Sequence, residues 1–144
     1  MFNSLLILAE EAVEKMGYIT HNSSAYLWSL TANETISIWD LEKETQFWHS
    51  GTSFRDDLAS FGKVTVDYLI GCMSGGDDFG GFLVSAGNFQ GDGIIFNVTH
   101  ESITPVTYLR GVGSSAHYSS IRSLITNPLN GIIYTGTLHL DFEY

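Results

Sequence analysis

The fold class is decided by one stretch of the sequence, Leu30-Thr31-Ala32-Asn33-Glu34-Thr35-Ile36-Ser37-Ile38-Trp39-Asp40. Polar and apolar residues alternate from Thr35 to Trp39, which is the pattern of a β-strand with one buried face. The preceding Ala32-Asn33-Glu34 is a polar turn. The stretch therefore predicts two strands joined by a tight turn, the second strand ending in Trp-Asp.

Runs of the same kind recur along the whole chain. They are rich in Ile, Val, Thr, Tyr and Phe and are bounded by Gly, Asn, Asp or Ser. We predict strands at residues 13–20, 25–31, 35–41, 45–48, 66–72, 82–86, 93–98, 103–109, 120–126, 131–136 and 140–144. Residues 50–62 form a looser polar stretch, and residues 6–15 can be read as a short helix or as a strand followed by a loop. The sequence therefore predicts an all-β chain.

Three segments repeat one order of features: a strand, a polar turn and a strand that closes on an aromatic residue. In a β-propeller blade of the Trp-Asp type, a strand hydroxyl, a polar turn side chain and an indole N–H form a hydrogen-bond relay. The predicted relay positions are Ser29, Asn33 and Trp39, then Ser85 and Asp92, then His117 and Thr135. Phe96 replaces the second indole and cannot donate a hydrogen bond. His139 stands where the third turn would carry Asp.

Three segments of the chain resemble the WD repeat-containing protein 89 family, including its fungal and plant members. They are residues 30–40, residues 66–72 (Val-Asp-Tyr-Leu-Ile-Gly-Cys) and residues 117–123 (His-Tyr-Ser-Ser-Ile-Arg-Ser). The resemblance runs from about Val13 to the end of the chain. It implies a WD-repeat β-propeller that acts as a scaffold for protein contacts and has no enzymatic activity.

The length limits how much of a propeller the chain can form. At roughly 45 residues per blade, 144 residues give about three four-stranded antiparallel blades, at 11–62, 63–112 and an incomplete 113–144. A ring usually needs about four to eight blades. We therefore expect a segment of a longer propeller or the product of a truncated gene model. Alone, it would expose blade faces and self-associate.

Charge and cysteine content restrict the partners and the compartment. Six Lys and Arg against sixteen Asp and Glu give a net charge of −10, and the basic residues are dispersed. Nucleic acids and acidic membranes attract basic patches, so neither is an expected partner. Cys72 is the single cysteine and there is no signal peptide pattern, which favours an intracellular location, cytoplasmic or nuclear.

No motif in the sequence supports catalysis or a cofactor. Residues 88–93 (Asn-Phe-Gln-Gly-Asp-Gly) resemble part of a calcium loop, but Thr99 occupies the position of the bidentate Glu. The five histidines are too dispersed for a zinc motif, and no Gly-x-Ser-x-Gly elbow is present. The expected function is a non-catalytic scaffold for other proteins. The alternative is a small β-sandwich that binds carbohydrate through aromatic residues and calcium through residues 88–93.

Overall fold

The computed structural model describes residues 12–51, 54–59, 65–75, 80–109, 121–127 and 132–137. Its strands are β1 Val13–His21, β2 Ser24–Thr31, β3 Ile36–Asp40, β4 Thr45–His49, β5 Tyr68–Ser74, β6 Phe82–Gly87, β7 Gly93–Val98, β8 Ile103–Leu109, β9 Ile121–Asn127 and β10 Ile132–Thr137, and its one described helix is α1 Phe54–Ala59. The prediction of a chain that is nearly all β is confirmed. The strand predicted at 140–144 lies outside the described residues.

The strands form consecutive antiparallel sheets. The first sheet has the order β1-β2-β3-β4 and the second sheet has the order β5-β6-β7-β8, while β9 pairs with β10. Every strand pairs with its neighbour in sequence, so each sheet is a simple meander. Within the described residues, no helix has the length and apolar character needed to cross a bilayer.

Helix α1 is a difference from the sequence prediction, which treated residues 50–62 as a polar loop. Phe54 and Leu58 are four residues apart and each is 1% exposed, so one turn of helix buries both on the same side. The ring of Phe54 packs edge-on against Trp48 of β4, with ring centroids 5.1 Å apart. Asp56 and Asp57 occupy the first turn, where negatively charged carboxylates interact favourably with the helix dipole. The sequence prediction missed this helix because residues 50–62 are mostly polar and only two apolar side chains form the contact.

One hydrophobic core lies between the first and second sheets. Its fully buried members come from both sheets and from α1; the largest are Leu30, Ile36, Ile38, Phe54, Leu58, Phe82, Val84, Ile94, Phe96 and Val98. Alternate residues of β6 and β7 point to this core, as the two-residue period of a strand requires. The first and second sheets therefore pack face to face.

The second sheet is buried on both faces. All six residues of β6 and all six of β7 are buried, including Leu83 and Ile95, whose side chains point away from the shared core. Strand β5 also lies against β9 of the third group. The first sheet differs because the outward face of its first strand is exposed: Val13, Met16 and Tyr18 of β1 are 45%, 62% and 64% exposed, whereas Ser29 and Ser37 on the same face of β2 and β3 are buried. We call the exposed outward surface formed by these three residues of β1 the open face.

The first strands of the two four-stranded sheets run side by side in the same direction. Lys15 Nζ donates to the carbonyl of Ile70 at 3.4 Å, and six residues further on His21 Nδ1 lies 3.2 Å from Ser74 Oγ. Among the strand pairs that cross between these sheets, β1 and β5 have the most extensive backbone approach. Parallel first strands with β5 between β1 and β9 are consistent with blades of a partial WD-repeat β-propeller. The described sheets do not close into a ring.

Candidate functional site

The turns after β2 and β6 lie at the same end of the molecule, beside the start of β5. Glu34 in the first turn reaches across the sheets, and its Oε2 accepts the backbone N–H of Leu69 at 2.6 Å. Asp67, just before β5, uses Oδ2 to accept the backbone N–H of Phe89 at 3.0 Å. We call this end, formed by residues 31–35, 65–67 and 88–92, the turn end. The Glu34 bond joins the two sheets, and the Asp67 bond joins the segment that enters β5 to the turn after β6.

The two turns are copies of one structure. Thr31 N donates to Thr35 O at 3.0 Å in the first, and Asn88 N donates to Asp92 O at 3.0 Å in the second. The fourth residue has a positive φ in both, 60° at Glu34 and 92° at Gly91. The same turn geometry in two successive sheets shows a structural repeat. Thr31 is therefore equivalent to Asn88.

Asn88 holds the second turn together. Its side chain is 2% exposed, and its Oδ1 accepts the backbone N–H groups of Gln90 and Asp92, both at 3.0 Å. Its Nδ2 donates to Thr65 Oγ1 at 3.3 Å, and its carbonyl accepts the Tyr68 hydroxyl at 3.0 Å. These bonds connect the turn to the segment that enters β5. Sequence reasoning placed Asn88 in a turn that could also be a calcium loop, and missed this role.

The first set of relay positions lies around β2 and β3. Ser29 is buried on β2 opposite Ser37, and Trp39 is half-buried on β3 opposite Leu27, so Ser29 and Trp39 share one face diagonally. Asn33 is exposed at the tip of the turn. Ser29 Oγ is buried without a hydrogen-bond partner among the described residues. The relay through these three residues remains a prediction.

The second set is arranged differently. Ser85 lies opposite Gly71 on β5 and its hydroxyl donates to the Gly71 carbonyl at 3.2 Å. Trp28 lies opposite Gly17 in the same way, so, counting from the equivalent turns, Ser85 corresponds to Trp28, and Ser29 corresponds to Ala86. Asp92 corresponds to Thr35 at the end of the turn. Thr135 is placed on β10 by its backbone, and His117 lies outside the described residues.

Trp28 packs between the first and second sheets. A Cβ added at Gly17 would lie 2.3 Å from Trp28 Nε1, and a Cβ at Gly71 would lie 3.0 Å from Trp28 Cη2. The indole therefore lies against two glycine backbones, one in each sheet. The signal for this contact is a glycine within each first strand, since a glycine in a strand interior often marks close approach.

Asp40, the acidic residue of the Trp-Asp pair, caps the turn between β3 and β4. Its Oδ1 accepts the backbone N–H groups of Glu42 and Lys43, both at 3.0 Å. Tyr26 lies opposite Asp40 on β2. Burial raises the pKa of the Tyr26 hydroxyl, and the charges of Asp40 and Glu42 raise it further. The polar groups beside the turn between β3 and β4 therefore have a structural role.

An aromatic cluster lies at that second end, opposite the turn end. Phe82 is in ring contact with His21, Tyr26 and Phe47, at centroid distances of 5.0, 4.8 and 5.0 Å. Phe47 also contacts His100, at 3.9 Å. Because the rings come from both sheets, the cluster extends the shared core to this end.

The geometry of the second turn does not favour calcium. The side-chain oxygen of Asn88 already accepts two backbone N–H groups, so it points into the turn. In the part of the chain that the structure describes, no group of three His, Cys, Asp or Glu side chains could hold a metal ion.

Comparison with known proteins gives one informative relative. The chain is 26% identical over 133 residues to WD repeat-containing protein 89 homolog from Dictyostelium discoideum. The aligned region is 92% of this chain and 35% of that protein. The chain thus spans about a third of the length of the relative it matches. No family model and no solved structure matches the chain. The match suggests the WD-repeat family, and the repeated meander sheets agree with it.

Proposed function

We propose that this chain is part of a WD-repeat β-propeller that acts as a non-catalytic scaffold for protein–protein contacts. The observation that carries the proposal is the second sheet, which is buried on both faces between the first sheet and β9. A middle blade has this environment. The turn repeat, the parallel first strands and the similarity to a WD repeat-containing protein support the same assignment.

The blade division follows the sheets. The four strands of the first sheet support a blade at 11–62, those of the second support a blade at 63–112, and β9 with β10 supports a third at 113–144. Ser29, Asn33, Trp39, Ser85, Asp92, His117 and Thr135 remain the proposed blade hydrogen-bond positions. The open face would then pack against a further blade or against a second copy of the chain. An intracellular location, cytoplasmic or nuclear, belongs to the same proposal.

The sandwich alternative has no support in the described residues. A two-layer sandwich places the outward face of each sheet in water. Here Ser85 and Ile95, on the outward face of the second sheet, are both 0% exposed. A carbohydrate or calcium module is therefore not proposed.

Affinity purification tests the scaffold function. A tagged chain is purified from cells, passed over a size-exclusion column and cross-linked through its carboxylates, because sixteen Asp and Glu outnumber the lysines. We expect other proteins to co-elute at fixed stoichiometry and to cross-link to turn residues. The control is Ile95→Asp, which we expect to unfold the second sheet because Ile95 is fully buried, and which reveals proteins that bind any unfolded chain. A chain that elutes without partners, or only with those of the control, would contradict the proposal.

A further inference from the structure

Strand β5 carries a β-bulge on the side of the first sheet. Leu69 and Gly71 lie opposite successive residues of β6, so Ile70 between them is an extra residue of β5. A bulge interrupts the hydrogen-bond ladder between two strands. The equivalent part of β1, around Gly17, pairs with β2 without a shift of register. A bulge at this position is therefore specific to the second of the two sheets.

Two side chains of the first sheet bind the backbone at this bulge. Glu34 Oε2 accepts the N–H of Leu69 at 2.6 Å, and Lys15 Nζ donates to the carbonyl of Ile70 at 3.4 Å. The charges suit the bonds, because an anion accepts from a backbone donor and a cation donates to a backbone acceptor. Hydrogen bonds of this charge-assisted kind are stronger than neutral ones. Adjacent residues of the bulge are thus bonded by side chains of opposite charge.

Glu34 makes its bond from a backbone conformation that is uncommon for its residue type. Its φ is 60°, in the left-handed region that disfavours residues with a Cβ. The equivalent residue of the second turn is Gly91, with a φ of 92°, and glycine adopts such angles readily. Unfavourable backbone conformations persist where the surrounding structure compensates for them. The bond to Leu69 gives Glu34 a role that a glycine could not supply.

We propose that Lys15 and Glu34 form a clamp on the β5 bulge and that this clamp keeps the first and second sheets together at the turn end. The second end is closed by different contacts, namely the rings around Phe82 and the approach of His21 to Ser74. Loss of the clamp should therefore release the turn end and leave the second end closed. The inference goes beyond the scaffold function, because it concerns only the contact between the two sheets.

Pulsed electron–electron double resonance measures the two ends separately in the full chain, diluted with unlabelled chain. One nitroxide pair is placed at Asn33 and Gln90, which are exposed at the tips of the two turns. The other pair is placed at Thr20 and Gly75, at the second end. Each pair has one label on each sheet, so each distance reports on how closely the sheets approach at that end.

The test variant is Lys15→Met with Glu34→Ala, which removes both charged groups of the clamp. The matched control is Lys43→Met with Glu44→Ala in the turn between β3 and β4. Lys43 and Glu44 are exposed, and Glu44 also has a positive φ, 55°. The control therefore makes the same two substitutions, one of them in the same backbone conformation. Circular dichroism and thermal melting establish that both variants fold.

We expect the distance distribution between the turn tips to become wider in the test variant, while the distribution at the second end stays the same. The control variant should change neither distribution. An unchanged distribution between the turn tips, or equal widening at both ends, would overturn the proposal. Either result leaves the scaffold function standing, because co-elution and cross-linking test it separately.

Hydrogen exchange of the Leu69 amide is a second readout, which needs only single substitutions. Glu34→Ala should speed this exchange by about tenfold or more, because the amide loses a charged acceptor. Glu34→Gln keeps a side-chain acceptor and should have a smaller effect, and Glu44→Ala should have none. Exchange no faster in Glu34→Ala than in Glu44→Ala would contradict the clamp.

Discussion

A single residue, Trp28, joins the first and second sheets through its indole ring. It fits because neither Gly17 nor Gly71 carries a side chain, and the distances leave no space for a Cβ at Gly17. The same register position in the second sheet holds Ser85. A large ring is therefore specific to the contact between the first and second sheets.

We predict that Gly17→Ala lowers the free energy of unfolding by about 1–3 kcal/mol, since overpacking forces side chains and backbone to shift. Chemical denaturation measures the change. In a Trp28→Ala background the obstacle is removed, so the same substitution should cost little. An equal cost in both backgrounds would show that the indole does not lie on Gly17.

Tyr26 gives a prediction for alkaline pH. Its pKa is raised above 10.0 in the folded chain, so the unfolded chain loses the hydroxyl proton first. The raised pKa stabilises the folded chain fully at pH values below the pKa of the unfolded tyrosine. This stabilisation is lost as the pH rises through the pKa of Tyr26 in the folded chain. Tyr26→Phe should remove this part of the alkaline decline, and Asp40→Asn should reduce it. Unfolding free energies measured across the alkaline range test both; parallel curves for the wild type and Tyr26→Phe would refute it.

At the level of secondary-structure elements, hydrogen bonds within the turns hold the strands of each sheet in register. Thr31 and Asn88 occupy one position with different chemistry: the Thr31 hydroxyl lies 2.6 Å from the Thr35 hydroxyl, whereas the Asn88 amide accepts two backbone N–H groups. Both solutions satisfy polar groups within a tight turn. The second turn is the more completely bonded one.

We predict that Asn88→Ala destabilises the chain by about 1–3 kcal/mol, because buried backbone donors lose their acceptor. Gln90→Ala removes an amide from the exposed tip of the same turn and should change stability by less than about 0.5 kcal/mol. Denaturant titration of both variants measures the difference. Similar losses in the two variants would show that Asn88 does not organise its turn.

Runs rich in Ile, Val, Thr, Tyr and Phe and bounded by Gly, Asn, Asp or Ser predicted most of the elements, because β-branched and aromatic residues suit a strand and the bounding residues suit turns. Residues 93–98 and 103–109 were placed without error, and other strand ends moved by one or two residues. Helix α1 was missed because only Phe54 and Leu58 mark it. The equivalence of Ser85 with Trp28 was also missed, since residues in the same register position share no chemistry. Register is set by hydrogen bonds that composition does not reveal.

Among the described residues, the second sheet is buried on both faces, whereas the first strand of the first sheet is exposed on its outward side. The open face carries Met16 and Tyr18, which are apolar and mostly exposed. Exposed apolar faces of this kind favour association. The chain studied alone should therefore form oligomers.

We predict that Met16→Lys with Tyr18→Lys shifts the chain toward monomer in sedimentation velocity, because charges on the open face oppose burial there. Asn33→Lys with Gln90→Lys makes the same charge change on exposed turn residues and should leave the oligomers in place. A wild-type chain that sediments as a single monomer at all concentrations would contradict this use of the open face.

Pulsed electron–electron double resonance tests the central claim, that the first and second sheets are neighbouring blades with their first strands side by side. Nitroxides at Thr20 and Gly75 report on the ends of β1 and β5, and nitroxides at Gln46 and Thr104 report on β4 and β8. Burial leaves the Cys72 thiol unlabelled and raises its pKa. A narrow distance distribution for the first pair, centred at a shorter distance than that of the second pair, is the predicted result. Outer strands as close together as the first strands would contradict it.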